Sequence, residues 1–155
     1  CSSNGNIDHR GRRPYVRKRP MPRFEFEVQR RFSDVDLYGH INNVQFLVFF
    51  EDTRAAWQRL FPAELPARFQ HIVVRQEIDY SQMVTFTPDP LIVQMWISKI
   101  GRTSYATDYR VLDDGSQVAT GRTIMVFFDE ATGRAAEIPD YMRTWLATFE
   151  DAPTV

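Results

Sequence analysis

Asp34-Val35-Asp36-Leu37-Tyr38-Gly39-His40-Ile41-Asn42-Asn43 concentrates side chains that can do chemistry. Two carboxylates occupy a polar turn, and an apolar stretch with helical spacing follows. The spacing predicts a helix from about His40 to Leu60. The first N–H groups of a helix lack internal partners and carry partial positive charge. Gly39 has no side chain to keep a ligand from the backbone there. Such donors can hold a carbonyl oxygen and the oxyanion it becomes; losing one typically costs about 2.7–4 kcal/mol of transition-state stabilisation. A carboxylate just before that end can attack the same carbon or activate a water that does. An ordinary aspartate is ionised at neutral pH and suits either role. The chemistry this predicts is acyl transfer to water, easiest for a thioester because its leaving group is good.

Each candidate also has a structural reading. Asp and Ser before a helix are common caps, and for Asp34 a cap or turn role is expected. For Asp36 alone, capping competes evenly with catalysis. Glu51 is a rival base, but it lies eleven residues after His40, about 16 Å along a helix. It is expected to pair with Arg54 on the next turn. His40 is expected to orient the turn or line a pocket, and Asn42 and Asn43 to hold the loop or the substrate. His71 opens a strand with no visible partner. His9, His40 and His71 show no metal-ligand spacing, and Ser33, Ser81 and Ser104 lack a nucleophile-elbow context, so no metal is predicted.

The elements that must position these residues follow from periodicity. Phe24, Phe26, Val28 and Phe32 alternate with polar residues as in a strand. The helix comes next, with Val44, Leu47, Val48, Phe49 and Phe50 leaving it little polar face, so it is expected to be covered on most sides. Pro62 and Pro66 follow its end. Strands are predicted over His71–Tyr80, Leu91–Ile100, Ser104–Leu112 and Val118–Phe128, with a hairpin signal at Asp113-Asp114-Gly115-Ser116. Pro139 opens a short amphipathic helix with Tyr141, Met142, Trp145 and Leu146. The class is α+β: an antiparallel sheet wrapped around a long central helix.

The chain has 155 residues, 43% hydrophobic and 14% aromatic, which suits one globular domain rather than a disordered chain. Its formal net charge of −1 gives no footprint for nucleic acid. No apolar run is longer than the five residues of Phe46 to Phe50, far short of a membrane span. The single cysteine, Cys1, forms no internal disulfide and suits a reducing, cytoplasmic setting. Residues 1–23 carry seven basic residues, Pro and Gly but no hydrophobic period, and read as an extended basic arm or tag-derived tail before a domain over 24–150. The opening Cys1-Ser2-Ser3-Asn4 reads as a truncated or tag-derived end in preference to a lipidated one.

Asp34-x-Asp36-x-x-Gly39-His40-x-Asn42-Asn43-x-x-Phe46, with Phe50-Glu51 and Arg54 after it, resembles the signature of the 4-hydroxybenzoyl-CoA thioesterase-like acyl-CoA thioesterases of the hotdog superfamily. The likeness runs from about Phe24 to Tyr141. Ile100-Gly101-Arg102-Thr103-Ser104 looks like the family's strand turn near the CoA nucleotide, residues 119–126 like its last long strand, and Glu137-Ile138-Pro139 like its closing motif. The resemblance implies a hotdog fold and hydrolysis of an acyl-CoA or acyl-carrier-protein thioester. It implies Asp36 as nucleophile or general base and carbonyl polarisation by N–H groups around Gly39 and His40. It also implies Asn43, Arg102, Thr103 and Ser104 as substrate contacts, the last three sometimes from a neighbouring subunit. No cofactor is expected beyond the coenzyme A of the substrate. A homodimer or homotetramer is expected, with active sites between subunits. Two departures stand out: Phe46 replaces a usual Tyr, and Gly101 and Thr103 stand where some members have Arg or Lys, which leaves room for a carrier-protein substrate. The alternative from another class is a non-catalytic acyl-CoA-binding or assembly module on the same fold. A hotdog dehydratase is disfavoured by the order of the Asp-Gly-His-Asn motif.

Overall fold

The computed structural model describes residues 23–151. The basic arm, apart from Arg23, lies outside the described residues, as do Cys1 and His9.

The order of elements is β1 (Phe24–Val28), a 3-10 turn (Phe32–Asp34), α1 (Gln45–Gln58), β2 (Phe69–Tyr80), β3 (Leu91–Ile100), β4 (Ser104–Asp113), β5 (Ser116–Asp129), β6 (Arg134–Ala135) and α2 (Asp140–Ala147). The strands form one antiparallel sheet in the order β1-β3-β4-β5-β2, with β6 added beside β5. β3 has the predicted limits and β2, β4 and β5 differ by a residue or two; β1 ends at Val28, and Phe32, read as part of that strand, opens the 3-10 turn instead. β6 has no counterpart in the sequence reading, because two residues are too few to show a period. The Asp114-Gly115 hairpin forms as predicted, both residues at positive φ (47° and 81°).

α1 lies across one face of the sheet. Its buried residues are Phe46, Phe49, Phe50, Thr53, Arg54 and Trp57, a single stripe at helical spacing. Leu47 and Val48 are only half-buried. Within this chain the helix is therefore covered along one side, not on most sides as expected. Phe50 stacks on Tyr109 of β4 with ring centroids 4.2 Å apart. Gly121 of β5 makes this approach possible: a Cβ there would lie 2.4 Å from the Phe50 ring and 2.8 Å from the Glu77 carbonyl oxygen.

The helix starts five residues later than predicted, at Gln45 instead of His40. The intervening backbone has other partners. His40 and Ile41 form bridges with Thr85 and Val35, the Ile41 N–H donates to the Val84 carbonyl at 2.7 Å, and the Asn42 N–H donates to the Asp34 carbonyl at 2.8 Å. Side-chain acceptors that compete with the helical ladder are the reason Asp and Asn delay helices. Here the Asn42 side-chain oxygen accepts the Val44 N–H at 3.1 Å, just before the first helical residue.

A second expectation also fails. Glu51 is exposed and forms no ion pair with Arg54 among the described residues. Arg54 instead points into the core and donates to the Tyr109 hydroxyl and the Thr123 hydroxyl, both at 3.3 Å. Position i+3 puts the two residues on neighbouring faces, and the buried stripe takes Arg54 but not Glu51.

Candidate active site

The segment between β1 and α1 is held turn by turn. Asp34 is buried; one of its carboxylate oxygens accepts the Arg31 N–H at 2.8 Å, which closes the 3-10 turn. This is the structural role expected of it. Asp36 does something different. Its Oδ1 accepts the Tyr38 N–H at 2.8 Å and the His40 N–H at 3.1 Å. Its own N–H donates to the His40 carbonyl at 2.8 Å, and the Gly39 N–H donates to the Asp36 carbonyl at 3.1 Å. The loop closes through Gly39 at φ 78°, a conformation that favours glycine. Asp36 thus caps its own tight turn, not the helix. One oxygen is tied down; Oδ2 has no hydrogen-bond partner among the described residues.

The turn borders a cavity of about 220 Å³. Asp36, His40, Asn43, Tyr80 and Gln82 supply its polar lining, and Ile41, Phe46, Met83 and Val84 its apolar lining. Half-apolar clefts with a few convergent polar groups are the usual form of small-molecule sites. Phe46 meets the edge of Tyr80, with ring centroids 5.3 Å apart and an interplanar angle of 84°. The Tyr80 hydroxyl donates to the Asn43 carbonyl at 2.8 Å, and partial burial raises its pKa. Met83 of the lining and Leu37 and Tyr38 of the adjoining turn are exposed apolar side chains, each at least 78% accessible.

The resemblance implied the N–H groups around Gly39 and His40 as carbonyl donors. The N–H groups of Gly39 and His40 are occupied by Asp36 itself, and the helix begins further on. The Asn43 N–H and side-chain amide, by contrast, have no partner among the described residues and stand at the helix entry beside Asp36.

Asp36, His40 and Asn43 are therefore brought together around one cavity, with Gly39 shaping the turn. Arg102, Thr103 and Ser104 are not with them. They form the β3–β4 turn, where the Phe127 N–H donates to the Thr103 carbonyl at 2.8 Å and exposed Arg102 stands 4.0 Å from Glu137. Tyr80 pairs with Ala119 of β5, whereas Ser104 pairs with Val126. Seven residues of strand separate the two places, about 24 Å along the sheet. Sequence reasoning missed Tyr80, Gln82, Met83 and Val84 as site residues. Tyr80 showed only as one member of an alternating strand, and the connection after it has no periodic signal.

His71 has a partner after all. Its Nδ1 is 2.7 Å from the Tyr105 hydroxyl, among the rings of Phe61 and Phe127. Burial lowers its pKa to about 4. It belongs to the core at the far end of the sheet. Among the described residues no cluster of three or more His, Cys, Asp or Glu side chains is arranged to hold a metal, and no helix is long and apolar enough to cross a membrane.

The family model of the thioesterase-like superfamily matches residues 30–146. The chain belongs to that superfamily. Its fold is the hotdog, as the motif implied. A predicted thioesterase from Bacillus stearothermophilus shares 31% identity with this thioesterase-like chain and superposes with a TM-score of 0.76, over 84% of this chain and 98% of the other. A thioesterase from Thermus thermophilus, solved in complex with coenzyme A and Zn, is 27% identical with a TM-score of 0.72, over 86% and 97% of the two chains. A curated relative, the 1,4-dihydroxy-2-naphthoyl-CoA hydrolase of Synechococcus elongatus, is 27% identical over 137 residues, covering 84% of this chain and all of the relative.

Proposed function

We propose that this protein hydrolyses an acyl thioester of coenzyme A, or of an acyl carrier protein, to the free acid and the thiol. The observation that carries this reading is the state of Asp36: Oδ1 is fixed by two backbone N–H groups, while Oδ2 is unpartnered beside the cavity. Fixing one oxygen orients the carboxylate without consuming it. As general base, Asp36 takes a proton from water as the water oxygen bonds to the acyl carbon. As nucleophile, its own oxygen bonds to that carbon and water later cleaves the anhydride. In both cases the tetrahedral oxyanion collapses with loss of the C–S bond, and the thiolate takes up a proton. Asn43, at the helix entry, is the donor best suited to the oxyanion. Gly39 and His40 shape the turn that holds Asp36. The reading needs no cofactor beyond the substrate's own coenzyme A. The names of the Synechococcus and Thermus relatives, a CoA hydrolase and a CoA-bound thioesterase, support CoA as the thiol.

The place of Arg102, Thr103 and Ser104, at the other end of the sheet, favours a composite site in a homodimer or homotetramer. In it the nucleotide half of CoA rests on a neighbour's β3–β4 turn. The exposed apolar side chains of Leu37, Tyr38 and Met83, and the open edge of β2 with Ile72, Val73 and Val74 partly exposed, are surfaces that a second copy would cover. The lone cysteine suits a cytoplasmic enzyme.

The test is a panel of aromatic, short-chain and long-chain acyl-CoAs and an acyl carrier protein, with thiol detection. Asp36→Asn and Asp36→Ala should lower kcat by two or more orders of magnitude with the melting curve little changed. Near-wild-type turnover by either variant on the best substrate rules out Asp36 as catalyst. Tight binding by wild-type protein without thiol release assigns the fold to acyl-CoA binding instead.

A further inference from the structure

A second charged group, Arg30, is linked to the Asp36 turn through Thr85, and the hydrolytic chemistry leaves it without a role. Arg30 sits just before the 3-10 turn, and its side chain is 1% accessible. Its guanidinium grips two distant segments. The fork pairs with both carboxylate oxygens of Asp113 in the β4–β5 hairpin, one bond measuring 3.2 Å, and Nη1 also donates to the Thr85 carbonyl at 2.8 Å. The Arg30 Nε has no partner.

Thr85 is the link to the site. It is the bridge partner of His40, and its neighbour Val84 accepts the Ile41 N–H at 2.7 Å. His40 in turn donates to the Asp36 Oδ1 and accepts from the Asp36 N–H. The path from Arg30 to the carboxylate thus has three steps: guanidinium, Thr85 segment, His40. Each step is a hydrogen bond or a β-bridge, and the ion pair to Asp113 holds the guanidinium at its start.

We propose that the Arg30–Asp113 pair is a clamp that positions Asp36, with Arg30 and Asp113 as positioning residues for the reaction assigned to Asp36. The catalytic role of the turn rests on the function proposed above; the clamp itself does not. A buried ion pair is a poor device for stability, since an apolar pair of the same shape often serves as well or better. What a bidentate fork provides is direction: two parallel bonds and a third to a carbonyl fix three chain segments in one orientation. Of those segments, the one at Thr85 is bonded directly to the Asp36 turn through His40 and Ile41. Asp113 keeps 28% side-chain access to water, so it can be solvated when Arg30 is removed.

Arg30→Met keeps an unbranched stem and removes the fork. Amide hydrogen exchange is the first readout. In Arg30→Met the amides of Tyr38, His40 and Ile41 should exchange at least tenfold faster, while those of β3 and β4 remain at wild-type rates. On the best acyl-CoA, kcat should fall at least tenfold with KM within threefold. Arg30→Lys, which reaches Thr85 or Asp113 but not both, should recover part of each loss. Asp113→Asn, which keeps one acceptor for Arg30 and loses the other bond of the fork, should show the same changes to a smaller extent; wild-type exchange and kcat in this variant would remove Asp113 from the clamp. Unchanged exchange in the Asp36 turn overturns the clamp whatever the activity. So does exchange that rises evenly over the whole sheet, or a loss that Lys does not rescue. If Arg30→Met fails to fold, the exchange and kcat of Arg30→Lys decide in the same way. Full activity of Asp36→Asn would remove the catalytic reading while the exchange experiment still judges the clamp.

Discussion

At the scale of single residues, Asp34 and Asp36 differ in burial and in what surrounds them. Asp34 is buried, and its Oδ2 accepts the Arg31 N–H. Asp36 is half-buried beside the cavity, and its Oδ1 alone accepts two backbone N–H groups. The Asp-x-Asp spacing alone does not separate these positions; burial and the cavity do. His71 carries a prediction of its own. Its pKa is about 4 in the folded protein because burial disfavours the charged ring, against 6.5 when free. Between those values the unfolded chain holds more protons than the folded one. Stability from this residue is therefore complete above about pH 6.5, declines as the pH falls towards about 4, and changes no further below that. The full difference corresponds to roughly 2–3 kcal/mol after allowing for partial access to water. Urea unfolding of the wild type and of His71→Phe at pH 7.5, 6, 5 and 4 measures it. The wild type should lose stability relative to the variant as pH drops; parallel curves would show that the ring does not titrate in this way.

At the scale of elements, α1 and β5 depend on one close contact. Phe50 is fully buried against Tyr109, and Gly121 faces it with no room for a methyl group. Gly121→Ala forces the Phe50 ring and the β2 backbone to shift together. The expected cost is about 1–3 kcal/mol, as for overpacking in other cores. A smaller side chain opposite should relieve it, so Phe50→Leu should destabilise less in the Gly121→Ala background than alone. Denaturant midpoints of the two single variants and the double variant close this cycle. Simple addition of the two losses would mean that the contact is not what requires glycine. The late start of α1 is also an element-scale effect. Asp36, Asn42, the His40–Thr85 bridge and the Ile41–Val84 hydrogen bond engage the backbone groups of residues 40–42 and leave no helical turn there before Gln45.

At the scale of the whole molecule, the question is where the two halves of the substrate rest. Asp36 and Arg102 lie at opposite ends of one sheet, so the proposed composite site can be tested by mixing subunits. Asp36→Asn should remove turnover, and Arg102→Glu should raise KM for CoA substrates. When the two variants exchange subunits, half of the mixed dimers' sites combine an intact Asp36 with an intact Arg102 from the neighbour. Activity at low substrate should then return to roughly a quarter of the wild-type value for random pairing in a dimer. No recovery after verified exchange would place both halves of the site in one chain.

Much of this could be read without coordinates. β-rich runs bounded by proline and turn residues located four of the longer strands to within two residues, and in β3, β4 and β5 their apolar residues are largely buried. The motif from Asp34 to Asn43 marked the site, since a tight turn before a helix needs Asp, Gly and Asn in a local order. Local order also misled: it put the helix start at His40 and paired Glu51 with Arg54, because sequence spacing carries no record of Thr85, Val84 or the sheet beneath the helix. Tyr80 and Gln82 join the cavity, Arg30 reaches Asp113, and Arg102 stands far from Asp36 for the same reason. The sequence alone determined the elements, their class and the identity of the candidate carboxylate. The tertiary structure decided which carboxylate oxygen is free, which N–H groups remain to meet a carbonyl, and which residues share the cavity, because those outcomes depend on hydrogen bonds between segments far apart in the chain.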